Sequence, residues 1–317
     1  MNRSIVIGSR GSELALWQAN HVKTKLEASH PETNFEVKVI HTTGDRVMDV
    51  ALSKIGDKGL FTRQIEDRLL SGEIDLAVHS LKDLQTSQPA GLTIGAVCER
   101  EVSNDAFISR TGGSISELPQ GGRVATGSLR RRSQLLNFRP DLIIEEIRGN
   151  VPTRLRKFDE WNIDGIVLAF AGLDRLGYSD RISQLIPTDI MIPAVGQGAV
   201  AVEVREGDDD VDALVAKLDH PATRICVEAE RAFLRRLEGG CQVPIGGMAS
   251  LDGDSITLSG FVGSLDGRNC FRKRISGPSD APELLGLRLA EKLIELGAEQ
   301  LLELARSEAI TAPENVV

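Results

Sequence analysis

Ile192-Pro-Ala-Val-Gly-Gln-Gly198, followed at once by Ala199-Val-Ala-Val-Glu-Val-Arg205, decides how this chain is organised. A proline and two glycines make the first seven residues a loop, and the apolar, β-branched run after them is a strand. Two sets of alternating strand and helix signals precede it, and the alternation stops soon after. A strand placed this late, beyond a crossover, returns to complete the first sheet. The expected domains are therefore residues 1–98 with 199–216, an α/β unit; residues 99–198, a second α/β unit; and residues 217–317, a smaller α+β unit.

In the first set, Ser4–Ser9 reads as a strand, and Ser12 caps a helix whose apolar residues Leu14, Trp17, Val22 and Leu26 recur at helical spacing. Phe35–Thr43 alternates like a half-exposed strand, Gly59–Leu70 is helical, and Leu76–Ser80 and Leu92–Val97 are buried strands. The second set runs strand Val124–Thr126, helix Ser128–Phe138, strand Leu142–Ile147, a helix with Pro152 in its first turn, strand Gly165–Phe170 and a helix from Ala171. Such alternation predicts right-handed βαβ units and mostly parallel sheets. In the last unit a helix, Thr223–Leu237, precedes strands Met248–Leu251, Ser255–Val262 and Cys270–Ile275. One long amphipathic helix from Ala281 to about Leu304 follows.

The 317 residues carry 37 Lys+Arg against 46 Asp+Glu, a net charge of −9, so overall attraction to nucleic acid or to an anionic membrane is not expected. Aromatics at 4% are too few for a base-stacking platform. No apolar run reaches the roughly 18–20 residues of a membrane span. The N-terminus enters strand-like sequence without an h-region. Cys98, Cys226, Cys241 and Cys270 form no C-x-x-C pair, which fits reduced thiols in a cytoplasm. Against this acidic background, residues 110–157 hold nine arginines and one lysine but four acids. Arg130 and Arg131 follow the strand-to-helix turn Val124-Ala-Thr-Gly-Ser128, and Arg148 and Arg154 flank the next one. Strand carboxyl ends line the crevice of an α/β sheet, and arginine pairs carboxylates or phosphates bidentately. An anion cleft for a ligand with several acidic groups is expected there.

Other signals are weaker. Gly196-Gln-Gly-Ala-Val-Ala201 matches the dinucleotide pattern in letters but is followed by a strand, not a helix, so it is rejected as such a site. Five histidines show no ligand spacing, and no metal is expected. Asp83, at the end of a buried strand, reads equally as a helix cap, an ion-pair partner or a carboxylate that stabilises a developing cation. Cys241, in Leu237-Glu-Gly-Gly-Cys241-Gln-Val-Pro-Ile-Gly246, lies in a loop where a thiol can act as nucleophile or attachment point. The other three cysteines read as small hydrophobes.

These pieces together resemble the porphobilinogen deaminase (hydroxymethylbilane synthase) family nearly end to end. The matching segments are Arg10-Gly-Ser12-Glu-Leu-Ala15 with Trp17-Gln18, Thr43-Gly-Asp45, Lys58-Gly-Leu-Phe61, His79-Ser-Leu-Lys-Asp83 and Ser128-Leu-Arg-Arg131. They continue with Arg148-Gly-Asn-Val-Pro-Thr-Arg154, Ala171-Gly-Leu-Asp-Arg175, Pro193-Ala-Val-Gly-Gln-Gly198 and Glu238-Gly-Gly-Cys-Gln-Val-Pro244. The resemblance implies two periplasmic-binding-protein-like α/β domains around a cleft, plus a C-terminal α+β domain carrying a covalent cofactor. It implies a dipyrromethane held as a thioether on Cys241 and head-to-tail addition of four porphobilinogens with loss of ammonia. Hydrolysis then releases hydroxymethylbilane, in tetrapyrrole and heme biosynthesis. It further implies Asp83 and Lys82 as catalytic residues. Cofactor contacts fall on Asp83, Lys82, Ser128, Arg130, Arg131 and Arg148, and substrate contacts on Arg10, Ser12, Gln18, Arg148, Arg154, Arg175 and Gln197. A cytoplasmic monomer with no nucleic-acid or membrane partner is expected. Three positions depart from the family pattern: Glu13 and Gln85 stand where proline is common, and Pro152 where glycine is. The same two lobes and arginines would also suit a reversible solute-binding module or a transferase acting on a phosphate substrate.

Overall fold

The computed structural model describes residues 4–42, 59, 62–238 and 243–311. The Thr43-Gly-Asp45 segment, most of Lys58-Gly-Leu-Phe61, and Cys241 with its immediate neighbours lie outside the described residues.

The chain begins β1 (Ile5–Ser9), α1 (Glu13–Ser29), β2 (Phe35–Val39), α2 (Arg63–Leu70), β3 (Leu76–Ser80) and β4 (Leu92–Val97). It continues β5 (Asp105–Ser109), β6 (Arg123–Ala125), α3 (Leu129–Phe138), β7 (Ile143–Glu145), α4 (Val151–Glu160), β8 (Gly165–Ala169), α5 (Phe170–Arg175) and β9 (Gln184–Leu185). Then follow β10 (Val200–Arg205), α6 (Asp209–Val215), α7 (Pro221–Arg236), β11 (Ile245–Asp252), β12 (Ser255–Gly263), β13 (Cys270–Pro278), α8 (Pro282–Ile294) and α9 (Ala298–Thr311).

The helix starts follow from their caps. The Ser12 hydroxyl accepts from the Ala15 amide at 3.4 Å, and Glu13 sits exposed in the first turn of α1, where a carboxylate meets the positive helix end. Asn150 caps α4, and Pro152 occupies a first-turn position whose amide would have no intrahelical acceptor. Both departures from the family pattern are thus compatible with a well-started helix. Ser128 caps α3 through the Arg131 amide at 3.5 Å.

The strands form two five-stranded sheets of one topology. The first has the order β2-β1-β3-β10-β4 and the second β7-β6-β8-β5-β9. In each, the first three strands pair in parallel, and the fourth is antiparallel to both of its neighbours. Four of the five strands in each sheet thus run in one direction, in keeping with the expectation of mostly parallel sheets, and one runs against them. The antiparallel member is in each case the strand that has just crossed from the other sheet: β5 arrives from β4, and β10 from β9. A chain entering from the opposite end has to run the other way.

The third unit is an antiparallel sheet, β11-β12-β13, packed against α7 and α8 around Phe233, Ile256, Leu258, Val262 and Leu289. The one long helix expected from Ala281 to Leu304 is two. The break falls at Gly297, whose φ of +99° stops α8 and starts α9 at an angle that still buries Leu302. The three units meet at Glu230 of α7, which is fully buried. Its carboxylate receives Arg100 Nη1 at 2.5 Å and Nη2 at 3.2 Å, the Gly196 amide at 2.8 Å and the Ala249 amide at 2.8 Å. Arg100 Nε also donates to the Gln197 carbonyl at 2.8 Å, so both passes of the chain between the sheets are tied to each other and to the third unit.

Candidate active site

β3 ends at Ser80, and a single 3-10 turn, Leu81–Asp83, follows. Leu81 anchors that turn. Its side chain is buried, and its amide donates to the Ala199 carbonyl at 3.0 Å. Gly196 lies against it with φ of +71°, and a Cβ there would come to 3.0 Å from Leu81 Cγ. Position 196 therefore needs both the backbone freedom and the missing carbon of glycine. Held in this way, the turn presents Lys82 to a cleft and leaves Asp83 exposed.

The cleft lies between the two α/β units. Leu14 and Gln18 of α1, Ser80 and Lys82 form one wall; Arg131 of α3, Arg154 of α4 and Arg175 of α5 form the other. Gly198 and Ala199, at the crossover, close its end. Among the described residues four cations line it and no carboxylate does. Among the described residues, Lys82, Asp83 and Arg154 make no side-chain hydrogen bond or ion pair within the protein, and Arg154 Nε is buried without a partner. Arg175 donates to the Gly198 carbonyl at 2.7 Å and lies 5.3 Å from the Trp17 ring centroid, a cation–π contact joining the two units. Gln18 and Ser80 hydrogen-bond at 2.9 Å.

So many cations around one space depress one another. Lys82 is lowered to about 8 by loss of hydration and by Arg131 and Arg130, against the opposing pull of Asp83 and Asp105. Arg154 is lowered to about 10 by burial, Arg131 and Arg148, with Asp83 opposing. Burial also lowers Arg131 and Arg175. The sign for Lys82 is fixed by linkage. The unfolded chain holds this proton to about 10.5, so the folded state carries a charging penalty below about 8 that is relieved between 8 and 10.5. Competitive acylation of the protein's amines across pH is expected to give Lys82 a midpoint near 8. A midpoint above 10 would mean that its ammonium is hydrated like a surface lysine.

The structure gathers Gln18, Lys82, Arg131, Arg154 and Arg175 at the cleft, with Asp83 beside them. The remaining expected residues are not in its lining. Ser12 and Ser128 cap helices. Arg148 is ion-paired with Glu146, with Nε at 2.7 Å, yet stays within electrostatic reach of Arg154. Arg10 is half-buried just beyond β1. Arg130 and Gln197 are turned inward. Arg130 donates to Asp105 and the Ile192 carbonyl, and Gln197 to the Ser103 carbonyl at 2.7 Å and Asp105 at 3.0 Å. The residue that the sequence reading missed is Asp105, the shared acceptor. Its only signal was an acid opening the apolar run Ala106-Phe-Ile108. Gln85, the third departure, gives its carbonyl to Arg231 of α7 at 2.6 Å, a bond that proline could also accept.

Two family models cover the chain. One is described as porphobilinogen deaminase, dipyromethane cofactor binding domain, and matches residues 5–213; the other is the porphobilinogen deaminase C-terminal domain and matches residues 224–295. The chain belongs to the porphobilinogen deaminase family. Similar curated members include the porphobilinogen deaminase of Pelotomaculum thermopropionicum, 53% identical over 97% of this chain and 99% of that one. That of Carboxydothermus hydrogenoformans is 50% identical over 98% and 99%. A solved structure described as a putative sulfonate ABC transporter, periplasmic sulfonate-binding protein SsuA from Methylobacillus flagellatus is 16% identical. It aligns at a TM-score of 0.40 over 74% of this chain and 68% of that one. Among the described residues no group of His, Cys, Asp or Glu is arranged to hold a metal, and no helix is long and apolar enough to cross a membrane.

Proposed function

We propose that this chain is a porphobilinogen deaminase, a transferase that joins four porphobilinogens head to tail on a covalent dipyrromethane and releases hydroxymethylbilane. The observation that supports it is a cleft lined, among the described residues, by Lys82, Arg131, Arg154 and Arg175 with no acid among them, beside the exposed carboxylate of Asp83. Each pyrrole of substrate and product carries an acetate and a propionate. A chain of such rings needs several fixed cations, and Lys82 and Arg154, without a partner among the described residues of an acidic protein, meet that need.

A dipyrromethane fits the same donor set, since the buried, unpaired Arg154 Nε and the depressed Lys82 both gain from a bound carboxylate. Lys82, Arg131, Arg154 and Arg175 would hold its acidic side chains, and Cys241 would tether it. When bound, it supplies the free pyrrole α-carbon on which the first addition takes place. The protein's own share is electrostatic. The Asp83 carboxylate, carrying no bond among the described residues, accepts pyrrole N–H groups and steadies the cation left when ammonia departs from porphobilinogen. Lys82 stays mostly protonated at neutral pH and orients carboxylates next to it. The Leu81 anchor keeps both groups in place between additions. We read the protein as a cytoplasmic monomer, in line with its dispersed thiols and with the family resemblance.

The purified protein is expected to be heavier than its sequence by one dipyrromethane, with the extra mass on the peptide that contains Cys241. It is expected to release four ammonia per tetrapyrrole formed. An unmodified Cys241, or porphobilinogen bound without ammonia release, would instead favour a reversible binding protein.

A further inference from the structure

Asp105 opens β5 with no exposure to solvent, and five donor groups reach its carboxylate. Arg130 gives Nη1 to Oδ2 at 2.7 Å and Nη2 to Oδ1 at 3.2 Å. Arg131 gives Nε at 3.0 Å and Nη2 at 2.8 Å, both to Oδ1, and Gln197 Nε2 joins them at 3.0 Å. Burial alone would raise the carboxyl's pKa; the two guanidiniums and the bonds from Arg130 and Gln197 hold it well below the usual carboxylate range.

The two arginines differ in what lies beyond this shared acceptor. Arg130 turns its remaining bond to the Ile192 carbonyl at 2.9 Å and does not reach the cleft lining. Arg131 has its Nε–Nη2 edge on Asp105 and Nη1 on the Val167 carbonyl at 3.1 Å, and the residue lines the cleft with Lys82 and Arg154, both of which feel its charge. An arginine in that place is pushed away by those two cations and has several rotatable bonds through which to leave. Holding it ready for an anion lowers the ordering cost of binding, provided its anchor is rigid. Asp105 is such an anchor, for Arg130 and Gln197 hold it independently of Arg131.

We propose that Asp105 is a positioning residue for the reaction: it clamps one edge of Arg131 so that this guanidinium is a preformed wall for ligand carboxylates, while Arg130 balances the buried charge. This rests on the reading of the cleft as a carboxylate site. The test uses the holoenzyme with four variants: Asp105→Asn, Arg131→Gln, the pair Asp105→Asn/Arg131→Gln, and the pair Asp105→Asn/Arg130→Gln, which restores the net charge of the cluster. Asp105→Asn is expected to lower kcat/KM for porphobilinogen about ten- to hundredfold. In the Arg131→Gln background the same change is expected to add less than about twofold, because the two act as a unit. Restoring the charge with Arg130→Gln is expected to restore melting behaviour but not kcat/KM.

A readout independent of turnover is modification by phenylglyoxal with peptide mapping. Arg131 is expected to react about tenfold faster or more in Asp105→Asn/Arg130→Gln than in the wild type, a range typical of lost local protection. Three results would overturn the proposal: full multiplicative loss in the cycle, recovery of kcat/KM with the charge, or unchanged Arg131 reactivity. If Asp105→Asn fails to fold, the charge-restored pair carries the comparison with Arg131→Gln. A wild-type protein without added mass or ammonia release would sink the functional reading alone, and the phenylglyoxal result would still judge the clamp.

Discussion

Replacing Asp83 by asparagine is expected to lower turnover about a thousandfold while leaving the fold and the covalent group in place. The side chain is exposed and, among the described residues, makes no hydrogen bond or ion pair, so the change to asparagine removes none. Its electrostatic reach is another matter, since it acts on both Lys82 and Arg154 across the cleft. A carboxylate about 4 Å from a developing cation, at an effective dielectric near 20, contributes about 4 kcal/mol, and each 1.36 kcal/mol is roughly a factor of ten in rate. Asparagine keeps the shape and an acceptor oxygen but not the charge. Ammonia release per active site, together with the intact mass of the variant, decides the matter. Turnover like that of the wild type would remove Asp83 from the chemistry.

The largest effect on stability is expected at Glu230. Glu230→Gln leaves Arg100 without its counter-charge and turns an amide N–H₂ toward the Gly196 or Ala249 amide, where only an acceptor fits. Breaking a buried pair by removing one partner costs about 3–5 kcal/mol. The change also loosens the third unit from both crossing segments, because Arg100 carries the bond to Gln197. Urea unfolding of wild type and variant measures the loss; a difference below about 1 kcal/mol would mean that the carboxylate is dispensable there.

Much of this architecture was legible from periodicity, and the exceptions are instructive. Leu76–Ser80 and Leu92–Val97 read as strands with the bounds they have, since short apolar runs between turn residues admit little else. β5 was not read, because its five residues open with a charged group whose partners come from α3 and from the distant crossover. Strand direction was also illegible. Alternation fixes which face a side chain takes but not which way the chain runs, so the two antiparallel strands looked like the others. In the last helix the apolar spacing continued across Gly297, and a single glycine at positive φ outweighed it. For the site, the motifs located the arginines but not their internal bonds. Arg130 and Arg131 are neighbours of one type that share Asp105, and only the folded chain shows that Arg131 lines the cleft while Arg130 turns back to the Ile192 carbonyl.

The polypeptide passes twice between the α/β units, through residues 98–104 and 186–199, and the two passes are stitched together by Arg100 to Gln197 and by the Glu101 amide to the Gly198 carbonyl at 3.2 Å. A single tether would act as a swivel. Two joined side by side act as an axle: the halves can swing about the line through both, whereas torsion or sliding would stretch one tether against the other. Glu230 grips that axle, but the third unit also holds both halves directly, Arg231 to the Gln85 carbonyl at 2.6 Å on one side and Arg272 to the Ile190 carbonyl at 2.7 Å on the other. Any swing of the halves therefore has to shear one of those two seams.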